Sequence, residues 1–137
     1  MFRKIILNTG EKKKLYGIRK KTLIAILQAG KDTYPDEFTA LLRYNPKTGL
    51  INEFLMLPGT ISGKRSAQLQ LNMMPIDYTV AGSVHSHPSG SCLPSGQDIF
   101  FFEHVGAVHI IVCRPYDMNS WACYQFDGEP YPLEVVG

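Results

Sequence analysis

The chain of 137 residues carries 45% hydrophobic and 19% charged side chains, the balance of one compact domain with enough apolar material for a core, which excludes a multidomain machine and a long disordered segment. Fourteen Lys and Arg against twelve Asp and Glu leave a net charge of +2, too small to mark a nucleic-acid-binding protein. No apolar run reaches the roughly 20 residues of a membrane-spanning helix, and the start MFRKIILNTGE has too short an apolar stretch for a secretory signal, so a cytoplasmic protein without a membrane partner is expected.

An apolar strand over residues 2–7 precedes the turn residues Asn8, Thr9 and Gly10, and a hairpin back through residues 15–18 is predicted. Lys12, Lys13, Lys14, Arg19, Lys20 and Lys21 crowd this region and read as a solvated face, with no nucleic-acid role assigned. Residues 19–33 have helical spacing, with Leu23, Ile24, Leu27, Ala25 and Ala29 toward a sheet and Lys20, Lys21, Gln28 and Lys31 outward. Tyr34-Pro35-Asp36 ends that helix, and a strand over residues 37–44 opens with Glu37.

The turn cluster from Asn45 to Gly49 joins this strand to a second, over residues 50–57, as a hairpin. Alternation predicts half-buried strands over residues 67–73 and 79–87, the latter stopped by Pro88. After a Ser/Gly/Pro loop come a short helix over residues 94–104, strands over 108–113 and 121–126, and a tail strand over 133–136. Runs of strands with helices at two places give an α+β fold, a curved, mostly antiparallel or mixed sheet flanked by helices.

The chemistry concentrates after the fourth long strand. His85 and His87 are two apart on a strand, so both imidazoles point to one face and can converge on one ion. Ser95 and Asp98 follow in the pattern of a helix N-cap, which is the plain structural reading of that pair. The two readings are compatible, because a cap that delivers a carboxylate beside the histidine strand completes an N2O ligand set. Such a set suits zinc and leaves a fourth position for water, the arrangement of a catalytic site.

His85-Ser86-His87-Pro88, the seven-residue spacer to Ser95, Asp98, and the upstream acid in Asp36-Glu37-Phe38 together resemble the JAMM/MPN+ zinc metalloproteases, which act on ubiquitin-like modifiers. The resemblance runs from about residue 18 to the C-terminus. It implies a JAMM/MPN catalytic domain over residues 18–137, preceded by a basic extension over residues 1–17 that forms a short hairpin. The implied fold is cytidine-deaminase-like, a curved mixed β-sheet flanked by helices. It further implies one Zn2+ per chain held by His85, His87 and Asp98. Glu37 would hold and deprotonate the fourth-position water and return the proton to the leaving amine, and Ser95 would donate to the oxyanion.

Glu53, in Asn52-Glu53-Phe54, stands in a similar local context to Glu37, but it alternates within a strand and reads as an exposed or paired acid. A (β/α)8 amidohydrolase needs about 250 residues. A metallo-β-lactamase would place Asp and His directly after the pair, and a cupin a glutamate; Pro88-Ser89-Gly90-Ser91 fits neither. His104 and His109 read as ordinary surface or core histidines, and Trp121 and Phe100-Phe101-Phe102 as core. Cys92, Cys113 and Cys123 have no C-x-x-C spacing. No base is indicated for Cys92, and a loop-pinning disulfide to Cys113 is preferred, though left open.

The expected reaction is hydrolysis of an isopeptide or peptide bond after the terminal glycine of a ubiquitin-like or sulfur-carrier protein, its Gly-Gly tail laid along a sheet edge. The alternatives are an amidase trimming a sulfur-carrier protein in cofactor or cysteine metabolism, and a non-catalytic MPN scaffold for protein partners. The bare catalytic core disfavours linkage-selective chain editing. The likeness to archaeal-type members points to an archaeal source, and the oligomeric state is left open.

Overall fold

The computed structural model describes residues 5–6, 14–57 and 78–137. β1 (Ile5–Ile6) pairs antiparallel with β2 (Lys14–Leu15) as a small sheet of its own. The main sheet is built from β3 (Gly17–Arg19), β4 (Thr39–Asn45), β5 (Leu50–Met56), β6 (Val80–His87), β7 (Val108–Cys113), β8 (Trp121–Gln125) and β9 (Val135–Val136). Its order is β8-β7-β6-β4-β5-β3-β9, a curled mixed sheet that, among the described residues, has two helices, α1 (Lys20–Thr33) and α2 (Gly96–His104). β6 and β7 are parallel, joined through α2, whereas β4 pairs antiparallel with both β5 and β6.

Alternation along the strands assigns each residue to one of two layers. Ala40, Leu42, Ile51, Val84, Ile110 and Val112 form one core with Leu23, Ile26 and Leu27 of α1. Leu41 and Ile111, of opposite parity, pack with Phe101 and Phe102 of α2. Both phenylalanines are fully buried, which contributes about 2–3 kcal/mol each. Among the described residues no helix is long and apolar enough to cross a membrane.

Several expectations need correction at the level of single residues. The buried stripe of α1 is Thr22, Leu23, Ile26, Leu27 and Gly30, so Ile24, 48% exposed, and Ala25 face outward instead of inward. The reason is geometric: with Leu23 and Leu27 inward, residues 22, 26 and 30 complete the i, i+3, i+4 stripe and residues 24 and 25 fall outside it. Strand β4 starts at Thr39, two residues after Glu37, because the turn that closes α1, with Asp36 N–H donating to Thr33 C=O at 2.8 Å, carries past the proline. The tail strand shrinks to two residues. The strand expected over residues 67–73 lies outside the described residues.

Candidate metal centre

The face of β6 under α2 carries His85 and His87, two residues apart. Thr39 of β4 and Ile111 of β7 pair with His85 from either side, so the ring sits in the middle of the sheet and is 3% exposed. Helix α2 begins just above it. Ser95 is the N-cap: its Oγ accepts from the Asp98 amide at 3.3 Å, and its own amide donates to Asp98 Oδ2 at 2.7 Å. This reciprocal capping box turns the Asp98 carboxylate back toward β6.

Asp98 is the hub of the cluster. Oδ2 lies 2.8 Å from His87 Nε2 and Oδ1 lies 3.3 Å from His85 Nδ1. His87 Nδ1 is 3.0 Å from the Ser91 carbonyl, so both nitrogens of this ring face acceptors. Its pKa is raised from 6.5, chiefly by the hydrogen bond to Asp98 and against the opposing effect of burial, with the Asp98 charge, the Ser91 carbonyl and the Glu37 charge adding. Burial works to raise the Asp98 pKa, but the His87 hydrogen bond, the His85 charge and the Ser95 amide outweigh it and hold the carboxyl below its usual value. His85 goes the other way: burial lowers it to about 4 and keeps the ring neutral.

Among the described residues no three such donors surround a common gap; the carboxylate closes directly onto both imidazoles. The donor set still fits zinc chemically. It offers a neutral imidazole at His85, an ionised carboxylate at Asp98, and at His87 a proton that a cation can displace.

The remaining residues expected at the site fall at different distances from this cluster. Glu37 is exposed on the link between α1 and β4. Its neighbour Phe38 is tied to β6 twice, donating from its amide to Ser86 Oγ at 2.8 Å and accepting at its carbonyl from the Ser86 amide at 3.0 Å. The Glu37 charge therefore reaches His87 and Tyr116. Glu53 instead pairs with Arg43 at 3.1 Å on the half-exposed surface of β5. His104 is exposed and stacks on Phe100 with ring centroids 4.4 Å apart. His109, by contrast, is fully buried and linked to His85 through Ser83.

The sequence reading missed Tyr116 and Ser83 and left the disulfide open. Tyr116 donates its hydroxyl to the His87 carbonyl at 2.8 Å. Its ring packs against α1 at Gly30, where a Cβ would come within 2.6 Å of it. Cys92 and Cys113 form a disulfide, and Tyr124 donates its hydroxyl to the Cys92 carbonyl at 2.7 Å, so the loop that follows His87 is held at Cys92 by two bonds. Ser83 gave no signal because its partner His109 is 26 residues away and meets it only through the pairing of β6 with β7.

Comparisons with known proteins place this chain in a family. Residues 19–124 match the family of prokaryotic homologs of the JAB domain. The chain is similar to a probable metalloprotease of Haloferax volcanii, 33% identical over 132 residues, covering 90% of this chain and 81% of the relative. It is also similar to a solved structure of JAMM, described as a metalloprotease-like zinc site in the proteasome and signalosome, at 42% identity and TM-score 0.70, covering 90% and 99% of the two chains. A JAB1/MPN domain protein from Archaeoglobus fulgidus gives 43% identity and TM-score 0.72, covering 88% and 99%. A protein from Desulfitobacterium hafniense, 16% identical with TM-score 0.58, shares the fold, with 87% and 91% covered. The chain belongs to the JAB/JAMM family.

Proposed function

We propose that this chain is a zinc-dependent peptidase that hydrolyses the peptide or isopeptide bond after the C-terminal glycine of a ubiquitin-like modifier. The observation that carries the reading is the convergence of His85, His87 and Asp98, with the Glu37 charge close enough to act on His87. The similarity to a probable metalloprotease and to a metalloprotease-like zinc site supports it. His85, His87 and Asp98 would hold the zinc.

A zinc ion held there would lower the pKa of water to about 7 and polarise the scissile carbonyl. Glu37, exposed to incoming water, takes the proton from the attacking water and later delivers it to the departing amine. Ser95, whose hydroxyl proton is left free when Oγ accepts from the Asp98 amide, donates to the carbonyl oxygen as it gains charge. Tyr116 and the Phe38–Ser86 contacts keep His87 and Glu37 in register with each other.

A tail ending in two glycines reaches such a site without side-chain bulk, and a sheet edge receives it through main-chain hydrogen bonds. The test is hydrolysis of a ubiquitin-like protein joined through Gly-Gly to a lysine ε-amine, run beside a sulfur-carrier protein with the same tail and a control ending in Ala-Ala. Cleavage that follows the Gly-Gly terminus supports the reading. Equal cleavage of the Ala-Ala control, or none of any substrate by zinc-loaded protein, contradicts it.

A further inference from the structure

Behind the ligand cluster the same face of β6 holds a second set of buried polar groups. Ser83 precedes His85 by two residues, and its Oγ lies 2.9 Å from His85 Nε2 and 2.7 Å from His109 Nδ1. In the parallel pairing of β6 with β7, Ser83 sits opposite His109. The strands approach closely beside them, since a Cβ at Gly82 would fall on the Val108 carbonyl. Ser83 and His109 are fully buried, so solvent does not compete for these contacts.

The Ser83 hydroxyl has one proton and two lone pairs, so it can donate to one ring while it accepts from the other. His109 Nε2 is buried and meets no partner at full hydrogen-bonding geometry. Burial, with the His85 charge, lowers the His109 pKa to about 3 against the smaller opposing effect of the Gly106 and Phe102 carbonyls, so this ring is neutral and holds one proton. A metal held on the Asp98 side of His85 would take the Nδ1 lone pair and leave that ring's proton on Nε2. Ser83 would then accept from His85 Nε2 and donate to His109 Nδ1, which leaves the His109 proton on Nε2. His85 Nδ1 is the nitrogen on the ligand side, 3.3 Å from Asp98 Oδ1 and 3.4 Å from Thr39 Oγ1.

We infer that Ser83 and His109 are positioning residues that fix the tautomer of His85 and present its Nδ1 to the metal. The inference rests on the zinc reading above. Ring packing holds the arrangement: Phe101 meets His85 edge-on at 4.9 Å, and Phe102 stacks on His109 at 4.6 Å with 20° between the planes. An outer hydrogen bond that sets ligand tautomer is worth about 10–100-fold in metal affinity.

The experiment titrates zinc into protein carrying 15N-labelled histidine and reads long-range proton–nitrogen correlations. The expected spectrum has the zinc-shifted nitrogen of His85 at Nδ1 with a proton at Nε2, and His109 protonated at Nε2. Ser83→Ala and His109→Phe, the latter keeping a ring against Phe102, should each bind zinc about 10–100-fold more weakly. Zinc on His85 Nε2, or wild-type affinity in both variants, overturns the inference while leaving the zinc site standing. Should wild-type protein take up no zinc, the zinc reading fails and the inference fails with it. If either variant does not fold, the wild-type spectrum alone decides.

Discussion

Ser95→Ala separates two roles that one side chain plays. As an N-cap, Ser95 contributes through a 3.3 Å contact from the Asp98 amide, long enough that its loss costs about 1 kcal/mol or less. The other half of the capping box survives, because it runs from the Ser95 backbone amide to Asp98 Oδ2 at 2.7 Å. Asp98 therefore keeps its orientation and zinc binding should change little. A domain of this length then melts roughly 3–5 °C lower. Loss of an oxyanion donor is much larger, about 10²–10³-fold in kcat. The assay is kcat and KM on zinc-loaded protein, with zinc content and a thermal melt on the same sample, and with Ser95→Thr as the variant that keeps a hydroxyl. A kcat within about threefold of wild type at full zinc loading would refute the oxyanion role. Activity lost only in proportion to zinc would reduce Ser95 to a holder of Asp98.

The other predictions concern the metal, the loop and the strands. Since the His87 pKa is raised above 6.5 and zinc must displace that proton, zinc affinity should fall about tenfold per pH unit below the raised value and level off above it. Competition titrations at a series of pH values check this, and a flat profile contradicts the ligand role of His87. Reducing the Cys92–Cys113 bridge, which links residues 21 apart in sequence, should cost about 3 kcal/mol in urea melts, whereas unchanged melts would mean that the loop is held without it. Gly82→Ala should cost about 3 kcal/mol or more, since the new Cβ would meet the Val108 carbonyl and β6 and β7 would have to part. Wild-type stability in that variant would contradict the close approach of these strands.

What the sequence made legible was local. His85 and His87 share a face because strand side chains repeat every two residues, and Ser95 and Asp98 announce a capping box three residues long. Both patterns survive any arrangement of the other elements. Ser83 with His109, and Tyr116 with His87, depend on β7 lying parallel beside β6 and on the turn that follows it, facts that no short-range period encodes. The same limit explains α1: Leu23 and Leu27 fixed the helix, but whether Ile24 or Ile26 turned inward depended on which side met the sheet. Glu37 was preferred to Glu53 because the resemblance places its acid after the first helix, and the two-residue delay of β4 leaves it exposed to water instead of paired in a ladder.

The central claim is that Glu37 moves the proton in a hydrolysis that depends on zinc held by His85, His87 and Asp98. It is tested most directly by comparing wild type with Glu37→Gln on a Gly-Gly isopeptide substrate, with zinc content measured on both proteins. The account predicts one zinc per chain in each, cleavage by wild type that a chelator stops and zinc restores, and loss of cleavage in the variant. Cleavage by metal-free wild type, or by Glu37→Gln at the wild-type rate, would contradict it.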